Sequence, residues 1–412
     1  MPRIRQRRLR LTSDFDFVEA TSDDTTVRPI DQSLQDSSPM TTIGRHPPPA
    51  RTLPSPNPPA SPPGGDASET YKARTTDVIM ARYRVQVALG YGRFGTVVRA
   101  EDTVTGTLVA VKLLHKGEDL HVDPLWEARI FQKILDGCDR RVSSFARVIQ
   151  SGTFDGFKCI VLELCQATLY DIIKGYCGLV PLPARHILEM SYQIVDAVSY
   201  LHSLGIIHTD IKLDNIAVKC ADVTTVKWLD VLTGYHDKRI LVTTQICILD
   251  LGRAVHAIVP TGNHGRVCCL PYRAPEVNLG MPWSYGVDAF AIGCTLANIY
   301  VGDSLMSVDI DSDQEHLASI DKLVGPFPEE YARKINEKYP KMFKFDNGIS
   351  ILWSPERDTS SDASHVETAS IHNRSLCDLI RNLMRPNPRD RITLEAATRH
   401  QYFDGLNALQ LG

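Results

Sequence analysis

A short polar motif in the segment IIHTDIKLDNIAV has the residue types that phosphoryl transfer needs. Asp210 could accept or orient the proton of an acceptor hydroxyl, and Lys212 could neutralise a γ-phosphate. Asn215 could bind a metal ion through its amide oxygen. Asp250 follows the apolar segment ICIL and supplies a hard oxygen ligand for Mg²⁺ at a turn. The spacing therefore indicates a metal-dependent phosphoryl-transfer site.

A glycine-rich segment, LGYGRFGTVV, lies between two predicted strands and contains Gly90, Gly92 and Gly95. The backbone there could turn sharply and bring N–H groups against phosphate oxygens. A glycine-rich hairpin that binds nothing is the alternative. A dinucleotide-binding fingerprint is disfavoured, because that motif leads from a strand into a helix, whereas a strand follows here.

A lysine in the sequence VAVK could hold phosphates from the next strand. Lys112 shares a strand face with Ala110, so one face could pack an adenine ring and place a cation near the phosphates. Glu127, in the helix-like segment PLWEARIFQKIL, is the best placed carboxylate to keep that lysine in position. The alternative is that both are ordinary surface residues.

The elements that carry these motifs differ in periodicity. From Tyr83 onwards, alternating apolar residues predict a series of short strands. Beyond about residue 185, apolar residues recur every three or four positions and predict an amphipathic helix, and SLCDLIRNLM predicts another. A strand-rich part followed by a helix-rich part, without regular alternation, predicts an α+β fold with two lobes.

The composition favours a protein with a large apolar core. The chain has 412 residues, 43% of them hydrophobic, and a formal net charge of -4. This balance gives no reason to expect direct binding to nucleic acid or to an anionic membrane. No apolar run reaches the length of about 18 residues that a membrane helix requires. The 10 cysteines lack metal-binding spacing, and we interpret them as reduced thiols of an intracellular protein.

Residues 1–76 are rich in Pro, Ser, Thr and Asp, which predicts a disordered tail. The segment MPRIRQRRLR at its start is strongly basic and could form a nuclear import signal or a docking patch. A solvated tail that no partner recognises is the alternative. Because the start lacks the apolar centre of a secretory signal, we expect the protein in the nucleus or the cytoplasm, or in both.

Three further residues are expected to have structural roles. Glu276, in the sequence YRAPEV, can pair with Arg391 in the sequence NPRDRIT. Asp288, in the sequence VDAFAIGC, could hold the backbone of the catalytic loop from beneath.

In their order, these motifs resemble those of the eukaryotic protein kinase superfamily, over about residues 77–405. They comprise a glycine-rich loop, a VAVK lysine, a helix glutamate, H-x-D-x-K-x-x-N, D-L-G, A-P-E, a helix aspartate and a late arginine. Within the superfamily the chain resembles the CMGC group, especially the LAMMER or CDC-like kinases and the related SR-protein kinases. HTD in place of HRD is typical of these kinases, and EHLASIDKLVGPFP is similar to their signature EHLAMMERILGPLP.

The resemblance implies a two-lobed protein-kinase fold, with an N-lobe over about residues 77–163 and a C-lobe over about residues 164–405. It also implies a LAMMER-like insert over about residues 303–350. The alternating segments KWLDV and RILVTT suggest a hairpin insert over about residues 219–244, like the one that LAMMER kinases carry there.

The resemblance also implies ATP and Mg²⁺ as cofactors and a role for each site residue. Lys112, paired with Glu127, would hold the α- and β-phosphates. The catalytic base would be Asp210, Lys212 would steady the γ-phosphate, and the metal ligands would be Asn215 and Asp250. The implied nucleotide pocket consists of Leu89, Gly90, Gly92, Gly95, Val97, Ala110, Lys112, Leu162, Glu163, Leu164, Ala217 and Leu249, with hinge backbone at the Glu163–Leu164 pair.

Several positions depart from the pattern of most protein kinases or from that of the LAMMER branch. Thr209 stands where many kinases have an arginine that grips a phosphorylated activation loop, so phosphorylation of that loop is not expected to be the switch. Cys269 and Leu270 stand where LAMMER kinases have threonine and arginine. A thiol is a weaker hydrogen-bond donor than a hydroxyl, so reduced turnover and altered peptide selection are expected.

These observations predict an ATP-dependent serine/threonine protein kinase whose substrates are proteins rich in Arg and Ser, with tyrosine autophosphorylation as a further implication of the resemblance. A pseudokinase scaffold with weak catalysis is the alternative. A small-molecule kinase is disfavoured, because the A-P-E glutamate, Asp288 and Arg391 are typical of protein-directed kinases. A monomer is the default expectation.

Overall fold

The computed structural model describes residues 51–52, 70–92, 95–116, 124–175, 179–230, 234–306, 312–346, 349–352 and 373–407. Most of the predicted tail, including its basic first residues, lies outside these ranges. Two lobes are present, one rich in strands and one rich in helices, which confirms the α+β class predicted from periodicity.

The N-lobe is built on a six-stranded antiparallel sheet. Its strands are β2 (Val78–Ile79), β3 (Tyr83–Tyr91), β4 (Gly95–Asp102), β5 (Leu108–Leu114), β6 (Val148–Phe154) and β7 (Phe157–Glu163), preceded in the chain by a short strand β1 (Arg51–Thr52) that belongs to another sheet. The spatial order is β2-β3-β4-β5-β7-β6. One helix, α1 (Pro124–Asp136), lies between β5 and β6 in the chain. The sheet therefore carries the glycine-rich segment on β3 and β4 and the lysine on β5.

Alternation along β5 explains how the same strand serves the core and the site. Val109, Val111 and Leu113 are buried in the N-lobe core. Because successive side chains of a strand point to opposite faces, Ala110 and Lys112 project from the other face of β5. The strand therefore secures the lysine through the packing of its neighbours.

Ordered packing of the N-lobe begins earlier than predicted. Tyr71 is buried and stands edge-to-face against Phe157, at 5.6 Å between ring centroids, and against Phe154, at 6.2 Å. Its carbonyl oxygen accepts a 2.9 Å hydrogen bond from the buried hydroxyl of Thr96. The predicted boundary between residues 76 and 77 therefore lies too late, because this aromatic side chain belongs to the core of the lobe.

The C-lobe is largely helical. Its helices are α2 (Ala184–Ser203), α3 (Pro275–Asn278), α4 (Gly286–Val301), α5 (Asp313–Val324), α6 (Glu329–Lys338), α7 (Arg374–Leu383), α8 (Leu394–Ala397) and α9 (Asp404–Asn407). Helices α2 and α7 coincide with the two helices predicted from apolar spacing. Among the described residues, no helix combines the length and the apolar character needed to span a bilayer. The buried helix α4 contacts both α2 and α7 and forms the centre of the lobe.

Short strands bring the motifs of the C-lobe together. They are β8 (Ala167–Thr168), β9 (Ile206–Ile207), β10 (Ile216–Val218), β11 (Asp222–Asp230), β12 (Gly234–Leu241), β13 (Ile246–Ile248), β14 (Val255–His256), β15 (Phe343–Asp346) and β16 (Ile349–Leu352). Ile216 on β10 pairs with Ile248 on β13. The backbone N–H of Leu249 donates to the carbonyl oxygen of Asn215, at 2.9 Å. This pairing places the Asn215 and Asp250 backbones side by side.

Short helical turns lie in several loops of the protein, including some loops of the candidate site. They are Arg140–Ser144, Asp171–Gly175, Leu213–Asn215, Leu251–Arg253, Leu270–Tyr272 and Gln401–Phe403.

A β-hairpin occupies the segment where alternating residues predict an insert. Strands β11 and β12 pair from Val223 with Leu241 to Asp230 with Gly234. Strand β1 adds to the outer edge of β11, with Arg51 opposite Val223. A short piece of the predicted tail thus forms a third strand of this hairpin.

The signature-like segment EHLASIDKLVGPFP forms helix α5 and the turn after it. The side chain of Ser312 caps the helix by accepting from the N–H of Glu315, at 3.1 Å, and Gly325 ends it at a φ of 107°. His316 and Leu317 are buried against the rest of the lobe. Two of the residues that the segment shares with the signature, His316 and Leu317, therefore lie on the packed face of α5, whereas Glu315 is exposed.

We expect His316 to make stability depend on pH. Burial, and secondly the charge of Arg273, lower the pKa of His316 from 6.5 to about 4. The folded protein therefore keeps this imidazole neutral, while the unfolded chain takes up a proton as the pH falls from 6.5 towards 4. Stability is lost across that window, by about 2 kcal/mol between pH 7 and pH 5.

The measurement is urea unfolding at both pH values for the wild type and for His316→Gln. The variant keeps a side chain that can accept from Asn278, whose Nδ2 lies 2.6 Å from His316 Nδ1 in the wild type. Its loss of stability on acidification should be smaller than that of the wild type by the amount given above. Equal losses in the two proteins would contradict the expectation.

Candidate active site

The catalytic loop is held from beneath by one buried carboxylate. Asp288, on α4, accepts hydrogen bonds from the backbone N–H of His208 at 2.7 Å and of Thr209 at 2.9 Å, and lies 3.0 Å from Nε2 of His202. Burial raises the pKa of Asp288, but the hydrogen bond from His202 and the charges of His202 and His208 outweigh it and lower the pKa overall. The structural role predicted for Asp288 is confirmed.

Thr209 joins the catalytic loop (residues 206–218) to the activation segment (residues 253–277) through uncharged groups. It has a φ of 69°, which is rare for a β-branched residue and is held here by its contacts. Its hydroxyl donates to the carbonyl oxygen of Arg253 at 2.8 Å, and its own carbonyl oxygen accepts from the N–H of Cys268 at 3.1 Å. The two segments are therefore connected by neutral hydrogen bonds where many kinases place an arginine.

The carboxylate of Asp210 is buried and held at one of its two oxygens. Asn215 Nδ2 donates to Asp210 Oδ2 at 3.0 Å and also to the Asp210 carbonyl oxygen at 2.8 Å. Lys212 Nζ lies 3.5 Å from the same Oδ2. No described residue hydrogen-bonds to Oδ1, although that atom is buried. A buried acceptor without a partner fits a site for an incoming hydroxyl group.

A second cluster joins three elements through Lys112. Its Nζ lies 2.5 Å from Asp250 Oδ1 and 3.3 Å from Glu127 Oε2, so strand β5, helix α1 and the turn after β13 meet there. Burial lowers the pKa of Lys112, but the charges of Glu127 and Asp250 outweigh burial and raise it overall. Burial raises the pKa of Glu127, whereas Lys112 overcomes burial at Asp250 and lowers its pKa. The pairing of Lys112 with Glu127 predicted from sequence is confirmed.

The turn after Asp250 leaves room for a metal ion and phosphates. Asp250 has a φ of 59°, and a Cβ atom at Gly252 would lie 3.3 Å from Asp250 Oδ1 and from Glu127 Oε2. Asn215 uses its Nδ2 towards Asp210, which leaves its amide oxygen as the group available to a cation. Carboxylate and amide oxygens are the donors that Mg²⁺ prefers. The residues predicted to bind metal therefore fit that ion.

The residues of the implied nucleotide pocket lie on both lobes. On the N-lobe sheet, Leu89 lies on β3 and Val97 on β4, and Ala110 on β5 is the register partner of Leu162 on β7. In the C-lobe, Ala217 lies on β10 and Leu249 directly follows β13. The two alanines are buried, and the larger residues of this set, including Leu164, are half-buried. Half-buried apolar side chains between two lobes fit a surface that an adenine ring would cover.

The hinge between the lobes is secured from both sides. Glu163, the last residue of β7, donates its backbone N–H to the carbonyl oxygen of Arg147 at 2.8 Å. Its side-chain Oε1 lies 3.3 Å from Lys219 Nζ. The side chain of the hinge glutamate thus points to a C-lobe cation.

The three glycines of the glycine-rich segment differ in their contacts and in the space that a side chain would have. Gly90 pairs with Val97, and a Cβ atom on it would meet nothing within 4 Å. Gly92 donates to the carbonyl oxygen of Gly95 at 2.9 Å, which closes the turn. A Cβ atom on Gly95 would lie 2.2 Å from the carbonyl oxygen of Leu113. The tip of the loop, residues 93–94, lies outside the described residues.

The difference in space around Gly95 and Gly90 predicts a large loss of stability for alanine at Gly95 and almost none for alanine at Gly90. Gly95→Ala should destabilise the N-lobe by about 1–3 kcal/mol, because its methyl group overlaps backbone that cannot move aside easily. Gly90→Ala, the matched control, should change the free energy of unfolding by less than about 0.5 kcal/mol. Urea unfolding of both variants measures this difference, and equal losses would contradict it.

A bidentate ion pair closes the far end of the activation segment. Arg391 Nη1 lies 2.8 Å from Glu276 Oε1, and Nη2 lies 3.0 Å from Oε2, with both side chains only 1% exposed. The guanidinium also donates to the carbonyl oxygen of Gly286 at 2.7 Å. The predicted pairing of Glu276 with Arg391 is confirmed.

The unusual residues of the activation segment lie beside the catalytic groups. Burial raises the pKa of the Cys269 thiol to about 11, and the charges of Lys212 and Asp210 act on it as well. The thiol is therefore neutral near pH 7. Leu270 begins the helical turn Leu270–Tyr272. Neither position carries the hydroxyl or guanidinium of the family pattern, as the sequence already indicates.

Sequence reasoning missed, among others, one cluster of contacts around Asp313 in the C-lobe and one contact of His115 in the N-lobe. Asp313, at the start of α5, forms an ion pair with Arg266 and lies 3.7 Å from Arg273 Nη1. Nε2 of His115 lies 2.9 Å from the carbonyl oxygen of Gly92. Neither contact has a signal in local spacing, because each joins segments that only the tertiary fold brings together.

Comparisons with known proteins show the family to which the chain is related. A family model described as the protein kinase domain matches residues 83–403. The chain is 28% identical over 348 residues to the dual specificity protein kinase lkh1 of Schizosaccharomyces pombe, covering 81% of this chain and 48% of that protein. It is 29% identical over 342 residues to the human dual specificity protein kinase CLK1, covering 80% of this chain and 67% of that protein.

One further relative supports the same family, and one solved structure supports the fold. The mouse dual specificity protein kinase CLK1 is 31% identical over 343 residues, covering 79% of this chain and 67% of that protein. A crystal structure described as a kinase domain aligns with a TM-score of 0.70 and 22% sequence identity, covering 82% of this chain and 100% of that chain. The chain thus spans about half the length of the fission yeast relative and about two thirds of the human and mouse relatives.

Proposed function

Because this chain belongs to the protein kinase family and to its CDC-like, LAMMER-type branch, we propose that it transfers the γ-phosphate of ATP to serine and threonine hydroxyls of Arg/Ser-rich proteins. The relatives are named dual specificity kinases, and the proposal therefore includes tyrosine as a secondary acceptor. The proposal of phosphoryl transfer rests on the buried carboxylate of Asp210. Lys212 and Asn215 hold this carboxylate at Oδ2, and Oδ1 has no described hydrogen-bond partner.

Each catalytic group has a role that its position supports. Lys112, fixed by Glu127, would hold the α- and β-phosphates of ATP. Asp250 and the amide oxygen of Asn215 would hold Mg²⁺, which neutralises charge on the phosphates when bound. Asp210 Oδ1 would accept the proton of the acceptor hydroxyl, and Lys212 would lie against the transferred phosphate.

Acidic residues near the catalytic loop support an arginine-rich substrate. Asp214 is exposed beside Lys212. Partial burial raises the pKa of Asp214, and the nearby carboxylates of Asp210 and Asp171 raise it further against the opposing charge of Lys212. A substrate guanidinium next to the acceptor serine would relieve this repulsion.

The test is transfer of labelled γ-phosphate from Mg·ATP to an Arg-Ser repeat peptide and to a neutral serine peptide, with Asp210→Asn as the inactive control. We expect transfer by the wild type, faster to the Arg-Ser peptide, and a smaller preference in Asp214→Asn. Equal rates on the two peptides would overturn the substrate class. ATP binding without transfer in either protein would instead identify a pseudokinase scaffold, the alternative in which the altered activation segment at Cys269 and Leu270 would bind a partner.

We also propose nuclear residence, which the basic segment MPRIRQRRLR supports. The test is the location of a fluorescent fusion of the full chain and of a variant with the arginines of that segment changed to glutamine. The wild type should concentrate in the nucleus and the variant should not. Identical distributions would overturn the proposal.

A further inference from the structure

An arginine outside every motif of the sequence reaches the catalytic carboxylate. Arg253 ends the helical turn Leu251–Arg253 directly after Asp250, and its Nη1 lies 3.9 Å from Asp210 Oδ2. Its side chain is 27% exposed, so the charge acts in a partly desolvated environment. The hydroxyl of Thr209 fixes the backbone of Arg253 from the other side, through the hydrogen bond at 2.8 Å to its carbonyl oxygen.

The cations around Asp210 all lie at the same oxygen. Lys212 Nζ is 3.5 Å and Arg253 Nη1 is 3.9 Å from Oδ2, which also accepts from Asn215 at 3.0 Å. Oδ1 has no described hydrogen-bond partner. This one-sided arrangement orients the plane of the carboxylate, because a partial rotation about its terminal torsion would move the oxygen away from both cations and from the Asn215 amide.

Two neighbouring positions supply no charge that could orient Asp210. A hydroxyl at position 269 would help to join Asp210 to Lys212, but this chain has the neutral thiol of Cys269 there. Thr209 is neutral and turned towards the activation segment. Arg253, in the turn after Asp250, supplies a second cation near Asp210 in addition to Lys212.

We propose that Arg253 is a positioning residue that holds the Asp210 carboxylate by Oδ2 and so keeps Oδ1 directed at the acceptor hydroxyl. The inference deepens the proposed function and rests on it for its effect on the rate. The guanidinium presents several donors in a fixed plane, so a lysine at this position should replace only part of its effect.

The kinetic test compares Arg253→Gln and Arg253→Lys with the wild type. Arg253→Gln should lower kcat for peptide phosphorylation about 10-fold, while the KM for ATP changes less than about twofold, because only the base is misplaced. Arg253→Lys should recover part of that loss. Arg399→Gln is the matched control, since Arg399 is an exposed arginine paired with Glu395 at 3.2 Å on α8, and it should behave as the wild type.

A thermal double-mutant cycle tests the same contact without turnover. Arg253→Gln should lower the unfolding midpoint by about 2 °C in the wild type. In an Asp210→Asn background it should cause no shift, because the charge on which Arg253 acts is then absent. If the wild type transfers no phosphate, the proposed function fails and this cycle alone decides the inference. A kcat of Arg253→Gln within about twofold of an active wild type, or equal midpoint shifts in both backgrounds, would overturn it.

Discussion

Asp210→Asn is expected to lower the rate of phosphoryl transfer by about 10²–10⁴-fold while ATP binding stays nearly unchanged. Asparagine has the size of aspartate and can still accept from Asn215, whose amide is 3.0 Å from Oδ2 in the wild type. It cannot take up the proton of the acceptor hydroxyl, and it offers Lys212 no negative charge. The cluster at Lys112, which we propose holds the nucleotide phosphates, involves other residues and should therefore remain intact.

Single-turnover transfer measures the loss of rate, and equilibrium titration with a fluorescent ATP analogue measures binding. Asp237→Asn is the matched control, because Asp237 is an exposed carboxylate of β12 paired with Lys227 at 2.6 Å, far along the hairpin from the site. It should transfer phosphate at the wild-type rate. An Asp210→Asn protein that retains more than about a tenth of the wild-type rate would show that another group acts as the base.

Arg391→Met is expected to lower the free energy of unfolding by about 3–5 kcal/mol. The substitution removes one partner of a bidentate ion pair in which both side chains are 1% exposed. Glu276 then keeps a buried charge without its cation, and the carbonyl oxygen of Gly286 loses its donor. The cost comes from these groups left behind, more than from the energy of the ion pair itself.

Urea unfolding followed by tryptophan fluorescence measures this loss. The exposed pair of Arg399 with Glu395 serves as control, and Arg399→Met should change stability by less than about 1 kcal/mol. In the double variant Glu276→Gln, Arg391→Met, the uncompensated charge is gone, so part of the stability should return. If Arg391→Met alone lowered the free energy of unfolding by less than about 1 kcal/mol, the buried Glu276 charge would not cause the predicted loss of stability.

The arrangement of the candidate site could be predicted in part, because the spacing of its residues is local and their partners follow from the type of element. Asp210, Lys212 and Asn215 lie within six consecutive positions of one loop, so any fold that forms the loop brings them together. The pairing of Lys112 with Glu127 was harder to predict from local spacing, because one residue lies on a strand and the other on a helix. A buried lysine that requires a carboxylate nevertheless limits the choice of partner.

Other features of the site could not be read from the sequence. Nothing in the spacing indicates that Lys112 also meets Asp250, or that Arg253 turns back towards Asp210. The contact of Arg253 depends on how β10 and β13 pair, and the contact of Lys112 depends on how the two lobes meet. The position of Tyr71 was missed for a related reason, because a single aromatic residue in a polar segment gives no periodic signal.

That early tyrosine sets a practical limit for producing the catalytic domain alone. A shortened protein that starts at Asp77 would lack the ring that packs between Phe154 and Phe157. It would also leave the hydroxyl of Thr96, a fully buried residue, without its acceptor, and Asp77 without the 2.7 Å hydrogen bond from the Tyr71 hydroxyl. An unpaired buried hydroxyl costs about 1–3 kcal/mol. A shortened protein for expression and crystallisation of this domain should therefore start upstream of residue 70.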